Sequence, residues 1–265
     1  MHPLLTIYTY FIIYSFLGWV CESIYCSILD HRLVNRGFVS GPFCPIYGVG
    51  ALVILKILTP FSTDVLTIFL VGMILTSLVE YISSYLLEKT FQTKWWDYST
   101  YPFNIRGRVC LKNSLMFGAL SVTLTFVIHP RISRWIAQSS VYYIQMFALL
   151  FTIFFAFDFG ETVYSILKLN DRLKLLENLK MEAMAKYEEF GQEFGLEAML
   201  KRIRDVKDLA EFNGLEEILT RFRNNLIKLK FSQRRLLRAF PKMRSLTTPY
   251  IQAMRDFINE RKNNE

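Results

Sequence analysis

Four acids interrupt long apolar stretches of this chain: Glu22, Glu80, Asp158 and Glu161, with Glu88 at the end of one such stretch. An ionised group at the centre of a membrane helix costs about 2.5–3.5 kcal/mol on insertion scales, so each of these needs a partner or a task. Helical spacing gathers them into polar stripes: Ser15, Gly18 and Glu22; Ser77, Glu80, Ser84 and Glu88; Asp158, Glu161 and Ser165. A fourth stripe, Ser114, Gly118, Ser121 and Thr125, consists of small residues that let helices approach closely. Facing one another, the stripes would enclose a polar vestibule open to the cytoplasm, with Arg32, Arg36, Arg106 and Arg108 from two connecting loops as countercharges. The same residues would also serve as an ion-pair network that fixes loops to helix ends, because pairing by itself relieves the burial cost.

The two loops have unusual composition. Asn35-Arg36-Gly37-Phe38, followed by Gly41, Pro42, Pro45, Tyr47 and Gly48, mixes permissive glycines with rigid prolines and predicts a fixed turn at the mouth of a span. In the second loop, the pair Trp95 and Trp96 suits the headgroup zone of a bilayer, and Asp97 beside it suits a local cap. Other chemistry has little to work with. The histidines are His2, His31 and His129, none in the core of a span, and no serine, cysteine and histidine set falls on plausible facing helices. Cys21, Cys26, Cys44 and Cys110 lack zinc-type pairing and read as structural thiols, so no metal or cofactor is expected. No Gly-x-x-x-x-Gly-Lys-Ser/Thr run occurs, so this chain does not carry a P-loop ATPase site.

The elements that must position these groups are membrane helices. The chain has 265 residues, 52% hydrophobic and 20% charged, with a formal net charge of +8. The charge is uneven: residues 1–169 hold 11 Lys+Arg and 8 Asp+Glu, while residues 170–265 hold 20 and 15. A helix needs about 20 apolar residues to cross a hydrocarbon core about 30 Å thick. Leu4–Ser27, Val65–Leu87, Leu111–Ile128 and Val141–Leu167 are long enough. The first begins without a basic leader and reads as a retained span. Phe43–Leu58 is shorter and bounded by prolines, and it is expected to be a fifth span, a re-entrant helix being the alternative. The expected fold is therefore all-α: a polytopic transmembrane helical bundle of about five spans over residues 1–169, then a cytoplasmic amphipathic helical domain over residues 170–265.

Lys and Arg favour the cytoplasmic side of a membrane. Arg32 and Arg36, then Lys89, Lys94, Arg106, Arg108 and Lys112, then the basic tail mark three internal regions, whereas Thr59–Asp64 has no positive charge. This gives a multi-pass protein of the cell membrane with its N-terminus outside and its C-terminus in the cytoplasm; Arg131 and Arg134 run mildly against it. In the tail, Leu215, Ile218, Leu219, Phe222, Leu226 and Leu229 follow amphipathic spacing, and Gly191, Gly195 and Gly214 mark breaks. Lys228–Arg244 contains seven basic residues and no acid. That stretch is either a solvated face or a surface for anionic lipid headgroups, and tethering to a bilayer argues against nucleic acid.

The chain resembles the CmpB-like family of bacterial ABC-transporter permeases. The resemblance rests on Phe16-Leu17-Gly18-Trp19 with Glu22, on Asn35-Arg36-Gly37-Phe38, and on Gly41-Pro42 with Pro45-Ile46-Tyr47-Gly48. It continues in Trp95-Trp96-Asp97-Tyr98-Ser99, in Asn104 with Gly107-Arg108-Val109-Cys110, and in Arg234-Arg235-Leu236-Leu237 with Phe240-Pro241. Met116-Phe117-Gly118 departs from the expected tryptophan before the glycine. The resemblance implies transport, with a separate nucleotide-binding subunit as partner and the basic tail as its docking candidate. On this reading Glu22, Arg36, Glu80, Glu88, Asp97, Asn104, Arg106, Arg108, Asp158 and Glu161 are the cavity candidates. Gly18, Trp19, Gly37, Gly41, Pro42, Pro45, Tyr47, Gly48, Trp95 and Trp96 form the structural motif. Two other classes stay open: a membrane scaffold that recruits soluble partners through its C-terminal helices, and a membrane-embedded enzyme acting on lipid-linked or phosphorylated substrates.

Overall fold

The computed structural model describes residues 2–58, 64–188 and 215–263. Most of the expected external connection, residues 59–63, and the expected breaks at Gly191, Gly195 and Gly214 lie outside the described residues. The fold is all-α, with a few two-residue strands in the loops. Among the described residues, four helices are long and apolar enough to cross a bilayer: Pro3–Leu29, Val65–Phe91, Leu111–Gln138 and Val141–Ala185. This is a multi-pass membrane protein. By contact density the chain falls into two compact units, one of residues 1–163 with 238–243, the other of residues 164–237 with 244–265.

In the first unit, helix α1 (Pro3–Asp30) opens on a proline, whose missing N–H has no intrahelical acceptor to lose there. It closes on His31 in a left-handed conformation, φ 50°. Helix α2 (Pro45–Leu58) has 14 residues, a rise of about 21 Å, shorter than the hydrocarbon core. Helix α3 (Val65–Phe91) starts at Asp64, whose carboxylate accepts from the N–H groups of Leu66 at 3.3 Å and Thr67 at 2.9 Å. After a loop carrying a short hairpin come α4 (Leu111–Thr123), a π turn (Leu124–Ile128) and α5 (His129–Gln138), continuous as one membrane helix. The sequence suggests a stop at Ile128, yet the helix runs through Pro130. A proline has no N–H for the carbonyl four residues back and collides with it, and the widened π turn relieves both problems. Arg131 donates from its guanidinium to the carbonyl of Val127, one turn back, at 2.6 Å. Helix α6 (Val141–Glu188) likewise passes Lys168 without a break.

Between membrane helices there is no water to expel, so close packing and interhelical hydrogen bonds decide the pairing. Gly18 of α1 faces Tyr47 of α2, and Gly48 faces Ser15 and Phe11. Gly72 of α3 faces Ser121, Gly118 of α4 faces Phe69, and Ser77 donates to Ser114 at 2.7 Å. The small-residue stripe of α4 thus pairs with α3, and the Gly18 stripe of α1 pairs with α2. Aromatic and aliphatic side chains fill the remainder: Ile12 with Ala148 and Phe151, and Ile54 with Leu58 and Ile68.

The second unit is built on the far part of α6, where Ile166, Leu169, Leu173, Leu176, Leu179 and Ala183 are buried at helical intervals. Its other helices are Leu215–Ile227, Phe231–Ala239 and Tyr250–Asn263. Ile218, Phe222, Leu226 and Leu229 of the expected apolar face are buried, with Phe222 packed edge-on against Tyr250 at 5.5 Å.

A Cβ on Gly18 would overlap the Cβ and Cγ of Tyr47, atoms held close to the backbone, whereas one on Gly160 meets nothing within 4 Å. Gly18→Ala is expected to lower the thermal unfolding midpoint in detergent, an overpacking cost of about 1–3 kcal/mol. Gly160→Ala is expected to leave it unchanged or raise it slightly, since alanine favours the helix by up to about 1 kcal/mol. Equal midpoints for Gly18→Ala and the parent would contradict the close α1–α2 approach.

Candidate functional site

Glu22 sits two turns before the end of α1 and draws the following loop onto the bundle. Its Oε1 pairs with Nε of Arg36 at 3.3 Å, and its Oε2 accepts from the Tyr47 hydroxyl at 2.5 Å, a short charge-assisted bond. Arg36 also donates to the carbonyl of Ala239 and lies over the Phe240 ring, 4.6 Å from its centre. The loop's shape comes from Asn35: its Oδ1 accepts from Trp19 Nε1 at 2.7 Å and from the Gly37 N–H at 3.2 Å, and its Nδ2 donates to the carbonyl of Ser40 at 2.7 Å. Gly37 lies against three backbone carbonyls, which leaves no room for a side chain. The run Asn35-Arg36-Gly37 is thus one device: the first residue folds the turn, the second pairs the acid, the third permits the approach.

The second loop does the same for α3. Glu80 is 6% exposed, and its Oε1 accepts from the Tyr98 hydroxyl at 3.3 Å. Glu88, two turns on, pairs with Arg108 at 2.8 Å, and that guanidinium also lies over the rings of Tyr81 and Tyr85. The hairpin Asn104–Ile105 with Val109–Cys110 holds Arg108 in place; its turn needs positive φ at both Arg106 and Gly107, 53° and 68°. Asn104 braces that turn by accepting from the Gly107 N–H at 2.9 Å and donating to the carbonyl of Tyr101 at 2.8 Å. Asp97 pairs with Lys94 at 3.1 Å and accepts from the Ser99 N–H at 3.0 Å. Burial alone would raise its pKa, but these donors outweigh it and hold the carboxyl below the usual range. Asp97 is therefore a local cap, and Asn104 a turn brace.

Asp158 completes the pattern on α6, accepting from the N–H groups of Ser40 at 3.0 Å and Gly41 at 2.8 Å. Glu22, Glu80, Glu88 and Asp158 all end on loop residues, and the two loops meet. Phe38 of the first packs against Trp95 of the second at 5.1 Å, and Phe240 packs edge-on against Trp95 at 5.1 Å. Trp95 is only 3% exposed, so it is a core residue of this cluster instead of a headgroup anchor. Trp96 donates to the carbonyl of Arg108 at 3.0 Å. Two expected members stand apart: Glu161 and Arg106 are exposed. On α6 the buried stripe is Asp158, Thr162 and Ser165, because intervals of four and three turn Glu161 outward.

One group in this assembly is left incomplete. Glu80 Oε2 is buried without a partner, and it is the only carboxylate oxygen in that state among the described residues. Tyr98, which reaches it, is held protonated far above the ordinary phenol range by burial, then by the carboxylates of Glu80 and Glu22, with Arg36 pulling the other way. Glu22, Arg36, Glu80 and Tyr98 therefore share one electrostatic neighbourhood. Tyr47 and Tyr98 supply its hydroxyl donors. Their positions beside Pro45 and Trp96 are visible in the sequence, but a tyrosine signals a buried hydroxyl donor only once its partner is known. A shallow apolar depression lined by Asp64, Val65, Leu66, Phe69, Ala119 and Val122 lies at the opposite end of α3. Its lining offers no chemistry. His129 is engaged too, its Nδ1 lying 2.7 Å from the Tyr14 hydroxyl.

An asparagine at position 158 presents one amide oxygen to two N–H donors, where the aspartate presents two carboxylate oxygens. Asp158→Asn is expected to destabilise the protein by about 1–3 kcal/mol, the cost of a buried donor left unmet. Glu161→Gln, one turn away and exposed, is expected to be silent. Thermal unfolding of both purified variants checks this, and equal losses would remove the distinction between the two acids.

No curated protein and no solved structure matches this chain. A family model does match, over residues 9–163, from the second turn of α1 to the part of α6 that holds Asp158. That stretch includes both loops and every carboxylate they bind, and it is more than half of the chain. The chain belongs to the family described as "Putative ABC-transporter type IV".

Proposed function

We propose that the chain is a permease-like transport component whose solute path passes Glu80, bounded by Glu22, Arg36, Tyr47 and Tyr98. The observation that carries this reading is the bare Oε2 of Glu80. A buried carboxylate oxygen without a donor is costly, and a protein keeps one where something else is bound or passed. Family membership points the same way.

The reading includes five crossings. Both loops bind carboxylates near one end of the bundle, and they are separated by α2 and α3, which together lead away from that end and back. The short α2 then makes the outward crossing. Arg32, Arg36, Lys94, Arg106 and Arg108 lie on the loops at that end, which makes it cytoplasmic by the distribution of positive charge. The N-terminus is then outside and the C-terminal helices are cytoplasmic, available to a separate ATPase subunit. One observation favours a scaffold instead: Glu22, Glu88 and Asp158 are engaged in tying loops down, as structural groups would be.

Purification of the intact protein from the membranes of its source cells is expected to bring down a nucleotide-binding ATPase. Glu80→Gln is expected to cut ATP turnover of that complex at least tenfold while the amount in the membrane and the unfolding midpoint stay near those of the parent. Repeated isolation without an ATPase, or full turnover in Glu80→Gln, would favour the scaffold.

A further inference from the structure

The second unit presents a surface that the proposed solute path does not use. Its centre is Phe231, 84% exposed although it opens a helix whose next residues are tied to α6. Ser232 and Ser165 share a hydrogen bond at 2.7 Å, and Gln233 donates to the carbonyl of Ser165 at 3.4 Å. Lys230 lies over the ring of Tyr164 at 5.5 Å, and Lys168 lies over the same ring at 5.1 Å. Arg172 donates to the carbonyl of Lys228. These contacts fix Phe231, an exposed Tyr164 and the exposed cations Lys168, Lys228 and Lys230 beside one turn of α6.

The depth of that turn follows from helix geometry. Tyr164 is 23 residues beyond Val141, where α6 begins, a rise of about 35 Å at 1.5 Å per residue. The hydrocarbon core is about 30 Å thick and the bilayer with its headgroups about 40–45 Å, which puts Tyr164 among the headgroups. The same measure puts Glu161 at the core boundary, where an exposed carboxylate reaches water without a partner. An exposed phenylalanine and tyrosine at that level, ringed by lysines, suit a lipid with an apolar chain below and an anionic phosphate above.

We propose that Tyr164, Lys168, Lys228, Lys230 and Phe231 form a binding site for an anionic phospholipid, the lysines taking the headgroup phosphate and Phe231 lying along the acyl chain. The site depends on the membrane placement of α6 and is independent of what the bundle transports. Asp171 acts on Lys168 from the same helix, and three lysines stand at the site against that one acid.

The test uses the full chain in nanodiscs of equal phosphatidylglycerol and phosphatidylcholine, released into native mass spectrometry. The parent is expected to retain phosphatidylglycerol over phosphatidylcholine, and Lys168→Gln with Lys230→Gln together to lower phosphatidylglycerol retention at least fivefold. Lys230→Gln alone, at a single exposed position, is expected to lower it at least twofold and serves if the double variant does not fold. Phe231→Ser is expected to weaken retention of both lipids. Unchanged phosphatidylglycerol retention in a folded lysine variant would overturn the site. So would loss of the lipid in 10 mM inorganic phosphate, which would mark a site for free phosphate. Because the readout is lipid retention, failure here leaves the Glu80 experiment unaffected, and the converse also holds.

Discussion

A carboxylate inside a membrane protein must find donors, and in this fold most of the donors come from loops, with Tyr47 of α2 beside them. Glu22 takes Arg36 and Tyr47, Glu88 takes Arg108, and Asp158 takes two backbone N–H groups of the first loop. Ionised groups cannot remain unpaired in hydrocarbon, so each acid specifies where its loop must lie. The glycines and prolines of those loops then have a physical purpose: they let the backbone approach the helices closely enough to donate. The positive φ at Arg106 and Gly107 serves Arg108, and the tight turn at Gly37 serves Arg36.

The same economy governs the helices. With no hydrophobic drive between them, α1 with α2 and α3 with α4 associate through small residues opposite larger ones, Gly18 with Tyr47 and Gly118 with Phe69. Tyr47 has two tasks, filling the notch at Gly18 and donating to Glu22. Packing and polar satisfaction are therefore coupled at one side chain, and the geometry around Glu22 inherits the rigidity of the helix pair. Glu80 is the exception. It has one donor where Glu22 has two, and it lies where Glu22, Arg36 and Tyr98 influence one another.

Much of this was legible in the sequence, because hydrophobic length and buried charge are strong signals. The apolar runs locate the four long helices, and the stripes single out Glu22, Glu80, Glu88 and Asp158, which reach donors on the loops. Family resemblance was legible too, in motifs now seen as loop-docking devices. What could not be read was partnership. Periodicity allows position 161 or 162 to accompany Asp158, and only the packing of α6 selects Thr162. An aromatic pair in a polar loop suits a membrane surface, yet Trp95 is enclosed by Phe38, Phe91 and Phe240 from three separate segments. Pro130 reads as a stop until a π turn is seen to absorb it.

The bond from Arg36 to the carbonyl of Ala239 joins residues 203 positions apart, and it imposes an order on biogenesis. Glu22 and Arg36 meet as soon as the first hairpin is made, but the guanidinium can fill its remaining site only after nearly the whole polypeptide has left the ribosome. Until then Glu22 is the guanidinium's partner while Trp19 and Asp158 hold the rest of the loop, and a chain stopped short of Ala239 and Phe240 would keep all its long apolar helices with that one latch open.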